Sequence, residues 1–131
     1  MDERSRAAHP VGMDRVRVLI VDDDERFRAL AQRMVGAAGY DVVGTAANGA
    51  AAIEALAALR PDAVLLDVQL PDASGVAIAR QISDGDGDVR VVLTSTDSTL
   101  VDDAVLAGSG AAAFVPKDQL AVSVLRSLIE P

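Results

Sequence analysis

The chain contains no cysteine and no tryptophan, and only one Tyr and two Phe among its 131 residues. Without thiols there can be no disulfide and no thiolate metal site. With so few aromatics, the half of the chain that is hydrophobic must build its core from Ala, Val, Leu and Ile, which favours helices packed closely on a sheet. Positive charge is also scarce. Twelve Lys and Arg face 20 Asp and Glu, a formal net charge of −8. That argues against a nucleic-acid face, because affinity for phosphate backbones comes mainly from Lys and Arg. No apolar run approaches the ~18 residues that a membrane span needs. Residues 1–14 lack the apolar centre of a signal peptide. A cytoplasmic protein with no membrane contact is expected.

What the sequence does contain is organised around Val64-Leu65-Leu66-Asp67, an apolar run between Pro61 and Pro71 that ends in a carboxylate. Such a run reads as a strand buried on both faces, as in the centre of a parallel sheet. Asp67 then lies at the carboxyl end of the strand, the edge where open α/β sheets bind ligands.

The same arrangement recurs along the chain. Residues 1–14, including His9, are polar and aperiodic and read as a flexible extension, with one domain following over 15–131. Residues 15–21 form a first strand that runs into Asp22, Asp23, Asp24 and Glu25. Phe27, Leu30, Ala31, Met34, Val35 and Ala38 then keep helical spacing up to Gly39. Residues 42–46 read as a second strand. Asn48 can cap a helix to Leu59 whose inner face would carry Ile53, Leu56 and Ala57. After the central strand, Ser74-Gly75 opens a helix with Val76, Ile78, Ala79 and Ile82, ended by Asp84-Gly85-Asp86-Gly87-Asp88. That acidic run is a turn and not a calcium loop, since Val89 stands where the calcium pattern needs Gly and Ser95 where it needs a carboxylate. A fourth strand from Val89 to Leu93 leads to Thr94, Ser95, Thr96 and Asp97. A weaker helix spans about 100–107, and a fifth strand over 112–115 ends in Pro116-Lys117. Asp118 can cap a last helix with Ala121, Val124, Leu125 and Leu128 on its inner stripe.

Strands alternating with helices imply right-handed βαβ units and helices on both faces of a parallel sheet. The fold class is α/β, a doubly wound five-stranded parallel sheet. In the flavodoxin-like order 2-1-3-4-5, strands one and three are neighbours, so Asp22, Asp23 and Asp67 meet at one edge with a hydroxyl after strand four and Lys117 after strand five. Two carboxylates ~5 Å apart repel by about 3 kcal/mol at an effective dielectric of 20, so three need counter-charge. Lys117 supplies one positive charge and a hard divalent ion the rest. Magnesium fits best, because it accepts one or two carboxylates and keeps positions for phosphate oxygens. Asp22 and Asp23 would hold it, and the backbone carbonyl of Gln69 could complete the shell. Asp67 beside such an ion and a lysine is placed to attack a phosphoryl group.

The chain resembles the receiver domains of two-component response regulators over about 15–129. The matching pieces are Val-Asp-Asp at 21–23, Leu-Leu-Asp-Val-Gln-Leu-Pro at 65–71 with Gly75 following, the hydroxyl after strand four, and Phe-Val-Pro-Lys at 114–117. The resemblance implies that Asp67 is the phosphoacceptor, that Asp22 and Asp23 bind magnesium, and that Lys117 contacts the phosphoryl group. It selects Ser95 over Thr94 and Thr96 as the switch hydroxyl and puts Phe114 in the place of the switch aromatic. It further implies a sensor histidine kinase as phosphodonor and a module that assists its own phosphorylation and dephosphorylation without being an enzyme in its own right. Thr96 stands where a small residue is usual, and Gln69 and Asp97 fall where family members tune the lifetime of the phosphorylated state. The Asn48-Gly49 region, the 67–75 wording and Asp118 in place of Pro are similar to receivers attached to helix-turn-helix DNA-binding domains. Phosphorylation would draw Ser95 toward Asp67 and Phe114 inward, reshaping the last two helices and fifth strand. Leu120, Val122 and Ile129 fall off the inner stripe and are expected to leave apolar surface there for a partner or a second copy. Two other functions fit the same fold. A magnesium phosphohydrolase with an aspartyl nucleophile wants an acid two residues on, where Gln69 stands; a phosphate-independent interaction module would have no need of the acidic cluster.

Overall fold

A computed structural model describes residues 15–85 and 87–129, so the extension expected over 1–14 and the middle of the acidic turn at Asp86 lie outside the described residues. The expected architecture is present. Five parallel strands, β1 (Arg17–Val21), β2 (Asp41–Ala46), β3 (Ala63–Asp67), β4 (Arg90–Ser95) and β5 (Ala113–Pro116), run in the order β2-β1-β3-β4-β5. Helices α1 (Glu25–Ala37), α2 (Gly49–Leu59), α3 (Gly75–Gly85), α4 (Asp103–Ser109) and α5 (Val122–Ile129) connect and flank them. No helix among the described residues is long and apolar enough to cross a membrane.

The unbroken apolar runs of the central strands follow from burial on both faces. Side chains alternate across a strand, so Val18, Ile20, Leu65 and Val92 meet α1 and α5 on one side, with Ala31, Val35 and Leu125. Leu19, Val21, Val64, Leu66, Val91 and Leu93 meet Ala52, Ile78 and Ile82 of α2 and α3 on the other. All five residues of β3 are buried. Asp67 pairs with Thr94 across the β3–β4 ladder, which sets the strand-end residues level with one another.

Helix ends mostly follow their sequence signals. The Asn48 side chain accepts from Ala51 N–H, and Gly39 takes the positive φ of 96° that turns the chain out of α1. The faces of the helices depart from expectation in three places. In α2, Ile53 is 38% exposed and Ala57 is exposed, while Ala52 is fully buried on the sheet. Almost every residue of α2 is apolar, so hydrophobic periodicity carries no phase, and close approach to the sheet selects a small residue. The helix expected over 100–107 is two pieces. A single 3-10 turn at Ser98–Leu100 is capped by Asp97, and α4 is capped by Asp102, with Val101 extended and buried between them.

The third departure is at α5. Asp118 does not cap it. Lys117–Gln119 makes its own 3-10 turn, and the helix begins at Val122 after an extended Leu120. This later start rotates the helix relative to a start at Asp118. Leu120 and Ile129 are consequently buried with Leu125, Val122 is half-buried against the same core, and Ala121 is exposed. The apolar surface expected from Leu120, Val122 and Ile129 is therefore absent, and a homodimer through α4, β5 and α5 loses that support.

Candidate functional site

The carboxyl ends of β1, β3 and β5 close a cleft of about 400 Å³ lined by Asp23, Asp24, Asp67, Gln69, Leu70, Pro71, Thr96 and Lys117. The four consecutive acids after β1 divide their labour. Asp24 is the N-cap of α1, accepting from the N–H groups of Arg26 and Phe27, and Glu25 lies in the first turn near the positive end of the helix dipole. Asp22 is fully buried beneath them, its Oδ1 accepting from Asp24 N–H at 2.9 Å, while Asp23 stays exposed. Arg28, one turn into α1, donates to the backbone carbonyl of Asp22 at 2.7 Å.

Carboxylate oxygens of Asp22, Asp23 and Asp67 lie within 4.8 Å of one another, a grouping that could hold a metal ion. Lys117 Nζ sits 2.6 Å from Asp22 Oδ2 and 3.5 Å from Asp67 Oδ2. It is the only lysine in the chain; the other permanently charged basic residues are all Arg. A flexible, compact ammonium is thus used once, and at this position. Three carboxylates against one ammonium leave two negative charges in the cluster, and the donors are all hard oxygens, which suits a divalent cation such as magnesium.

Burial pushes the Asp67 carboxyl above the ordinary aspartate range, and the Asp22 charge pushes the same way; the Gln69 N–H, donating to Oδ1 at 3.2 Å, and Lys117 oppose the rise without cancelling it. Burial also works against the Lys117 ammonium, but Asp22 and Asp67 outweigh it and the lysine titrates higher than usual. A carboxyl that binds its proton more tightly folded than unfolded favours the fold at low pH and loses that advantage as pH rises through its folded value. The urea midpoint of native protein relative to Asp67→Asn, without divalent ions, is therefore expected to be highest below the ordinary aspartate value of about 4 and to fall as pH rises above it. The comparison matters because Asp72 and Asp97, held below the ordinary range by hydrogen bonds from Gly49 and Thr99, act in the opposite sense.

Asp22, Asp23, Asp67 and Lys117 thus come together as expected, with Gln69 at the rim. The hydroxyls are more finely sorted than the sequence allowed. Ser95 is buried with Oγ accepting from Asp97 N–H at 3.0 Å, Thr94 is buried with no hydrogen-bond partner for Oγ1 among the described residues, and Thr96 lines the cleft. Phe114 does not reach the cleft; it is half-buried on the side of the sheet covered by α2 and α3.

Two contributors were not singled out in the sequence. Asp72 accepts from Gly49 and Ala50 N–H at 2.7 and 3.0 Å, tying the loop after Asp67 to the start of α2. The Phe27 ring lies under Lys117 Nζ, 4.5 Å from its centroid. Periodicity assigned Phe27 to the core; its place one helical turn after Asp23 was the available signal.

The chain is thus a small doubly wound α/β module with three carboxylates and a lysine gathered at the carboxyl ends of its strands. The model of the response regulator receiver domain matches residues 18–130, and the chain belongs to that family, the receiver domains of two-component systems. Among its relatives, a protein-glutamate methylesterase/protein-glutamine glutaminase of Nocardioides sp. is 37% identical over 119 residues, covering 88% of this chain and 32% of that protein. The DNA-binding transcriptional activator DevR/DosR of Mycobacterium tuberculosis is 38% identical over 116 residues, 86% of this chain and 52% of that protein. This chain therefore spans about a third to a half of the length of these two relatives. The signal receiver domain of the response regulator NarL from Mycobacterium tuberculosis superposes with a TM-score of 0.76 at 32% identity, covering 90% of this chain and 99% of that one.

Proposed function

We propose that this receiver is a phosphorylation-dependent switch in the cytoplasm, taking a phosphoryl group on Asp67 from a sensor histidine kinase in a magnesium-dependent reaction. The observation that carries the reading is the joint approach of Asp22, Asp23 and Lys117 to Asp67. In the transfer, an Asp67 carboxylate oxygen forms the new bond to phosphorus as the phosphorus–nitrogen bond of a phosphohistidine breaks, and the histidine keeps the electron pair. Asp22, Asp23, Asp67 and the backbone carbonyl of Gln69 would hold magnesium, which when bound supplies positive charge for the phosphoryl oxygens. Lys117, already beside Asp67, would pair with a phosphoryl oxygen. Ser95 would exchange its contact with Asp97 N–H for one to the phosphoryl group, and Phe114 would move into the space behind it. Catalysis of this kind is positioning and charge neutralisation, so the module would assist its own phosphorylation and dephosphorylation.

The phosphohydrolase alternative lacks its second acid, since Gln69 offers an uncharged amide at the rim. Intact mass after incubation with acetyl phosphate tests the reading. A phosphoryl adduct is expected on native protein with magnesium, and none without magnesium or on Asp67→Ala. An adduct of equal yield on Asp67→Ala would overturn it.

A further inference from the structure

We infer that Phe27 is a positioning residue for Lys117, its ring face holding the ammonium between Asp22 and Asp67. The inference rests on the function proposed above and deepens it. The Lys117 ammonium has Asp22 Oδ2 at 2.6 Å, Asp67 Oδ2 at 3.5 Å, and the ring of Phe27 with its centroid at 4.5 Å. The ring attracts a cation through its quadrupole, more strongly where water is excluded. The Lys117 side chain is only 13% exposed. Unlike a third carboxylate, the ring adds no charge that would hold the ammonium back from an arriving phosphoryl oxygen. It also blocks one way out to solvent for a four-carbon stem that is otherwise flexible.

The ring itself is held in place. Phe27 is half-buried against the core beneath α1, and its N–H donates to the capping carboxylate of Asp24 at 3.4 Å. The short segment from the end of β1 into the first turn of α1 therefore carries Asp22 and Asp23 and also the wall that steers the lysine toward Asp67. In a chain with only three aromatic residues, one of them is spent at this position.

Because Lys117 is the only lysine, lysine-selective isotope labelling of the full chain gives a single side-chain signal that needs no assignment. In native protein and in Phe27→Tyr the Lys117 εCH2 protons are expected upfield of their ordinary position through the ring current. In Phe27→Leu, which keeps an apolar side chain but no ring face, they should return to it. The rate of phosphorylation by acetyl phosphate with magnesium should fall about 3- to 10-fold in Phe27→Leu and stay within about 2-fold of native in Phe27→Tyr. A merely structural Phe27 would move neither the lysine signal nor the rate in this pattern at matched urea midpoints. A native protein that takes no phosphoryl group overturns the proposed function. A native protein that takes it, with Phe27→Leu equally fast or with its lysine signal unmoved, overturns this inference alone.

Discussion

Gly75→Ala is expected to lower stability by about 3 kcal/mol, near the upper end for overpacking a core position. A Cβ at Gly75 would lie 2.1 Å from the Asp67 carbonyl oxygen and 2.8 Å from Val68 Cα, and these are backbone atoms that cannot swing aside. Gly75 N–H also donates to the Val68 carbonyl at 2.7 Å, so the start of α3 is clamped against the end of β3. Relief would have to come from displacing the segment that presents Asp67, so the loss of stability should be accompanied by slower phosphorylation. Gly36 provides the control. It is exposed within α1 with nothing within 4 Å of a built Cβ, so Gly36→Ala should raise stability by up to about 1 kcal/mol. Urea unfolding of the two variants should give opposite signs. A change below about 0.5 kcal/mol for Gly75→Ala would show that the β3–α3 junction yields more readily than its geometry implies.

Lys117→Met carries the second large effect. It removes the ammonium that lies 2.6 Å from a carboxylate, Asp22, whose side chain is 1% exposed, and leaves the negative charges of Asp22, Asp23 and Asp67 facing one another. Breaking a buried pair from one side costs about 3 kcal/mol or more, because the remaining carboxylate is shut off from water and keeps only the Asp24 N–H among the described residues, with no counter-charge. That loss is expected in the absence of divalent ions, and saturating magnesium should restore much of it. The thermal midpoint of the variant should thus depend more steeply on magnesium than that of native protein. A variant as stable as native protein without magnesium would mean that the carboxylates are not in electrostatic conflict.

The legibility of the chain follows physical lines. The central strands could be read because burial on both faces demands unbroken apolar runs, and Asn48 because a cap needs a side-chain acceptor at one defined place. The placing of Asp22, Asp67 and Lys117 at strand ends was legible. Their meeting depended on the order 2-1-3-4-5, which was taken over from flavodoxin-like folds because alternating strands and helices do not themselves fix which strands are neighbours. Phase was harder. In α2 an almost wholly apolar sequence fits any rotation, and before α5 Asp118 was a valid cap signal that a 3-10 turn overrode. Four acids in a row could not be sorted by sequence into a buried Asp22, an exposed Asp23 and a capping Asp24, because the sorting depends on where β1 ends and α1 begins to within one residue. Phe27 fitted the core stripe of α1 equally well whether or not it touched Lys117.

The central claim is that Asp67 carries the phosphoryl group as an acyl phosphate. Borohydride reduces an acyl phosphate to an alcohol and leaves phosphate esters of Ser and Thr intact, so reduction after acetyl phosphate treatment with magnesium, followed by peptide mass mapping, locates the site. The account predicts an alcohol in place of the Asp67 carboxyl, absent when magnesium is omitted. Reduction at another carboxyl, or a phosphoryl group that survives borohydride on Ser95 or Thr96, would contradict it.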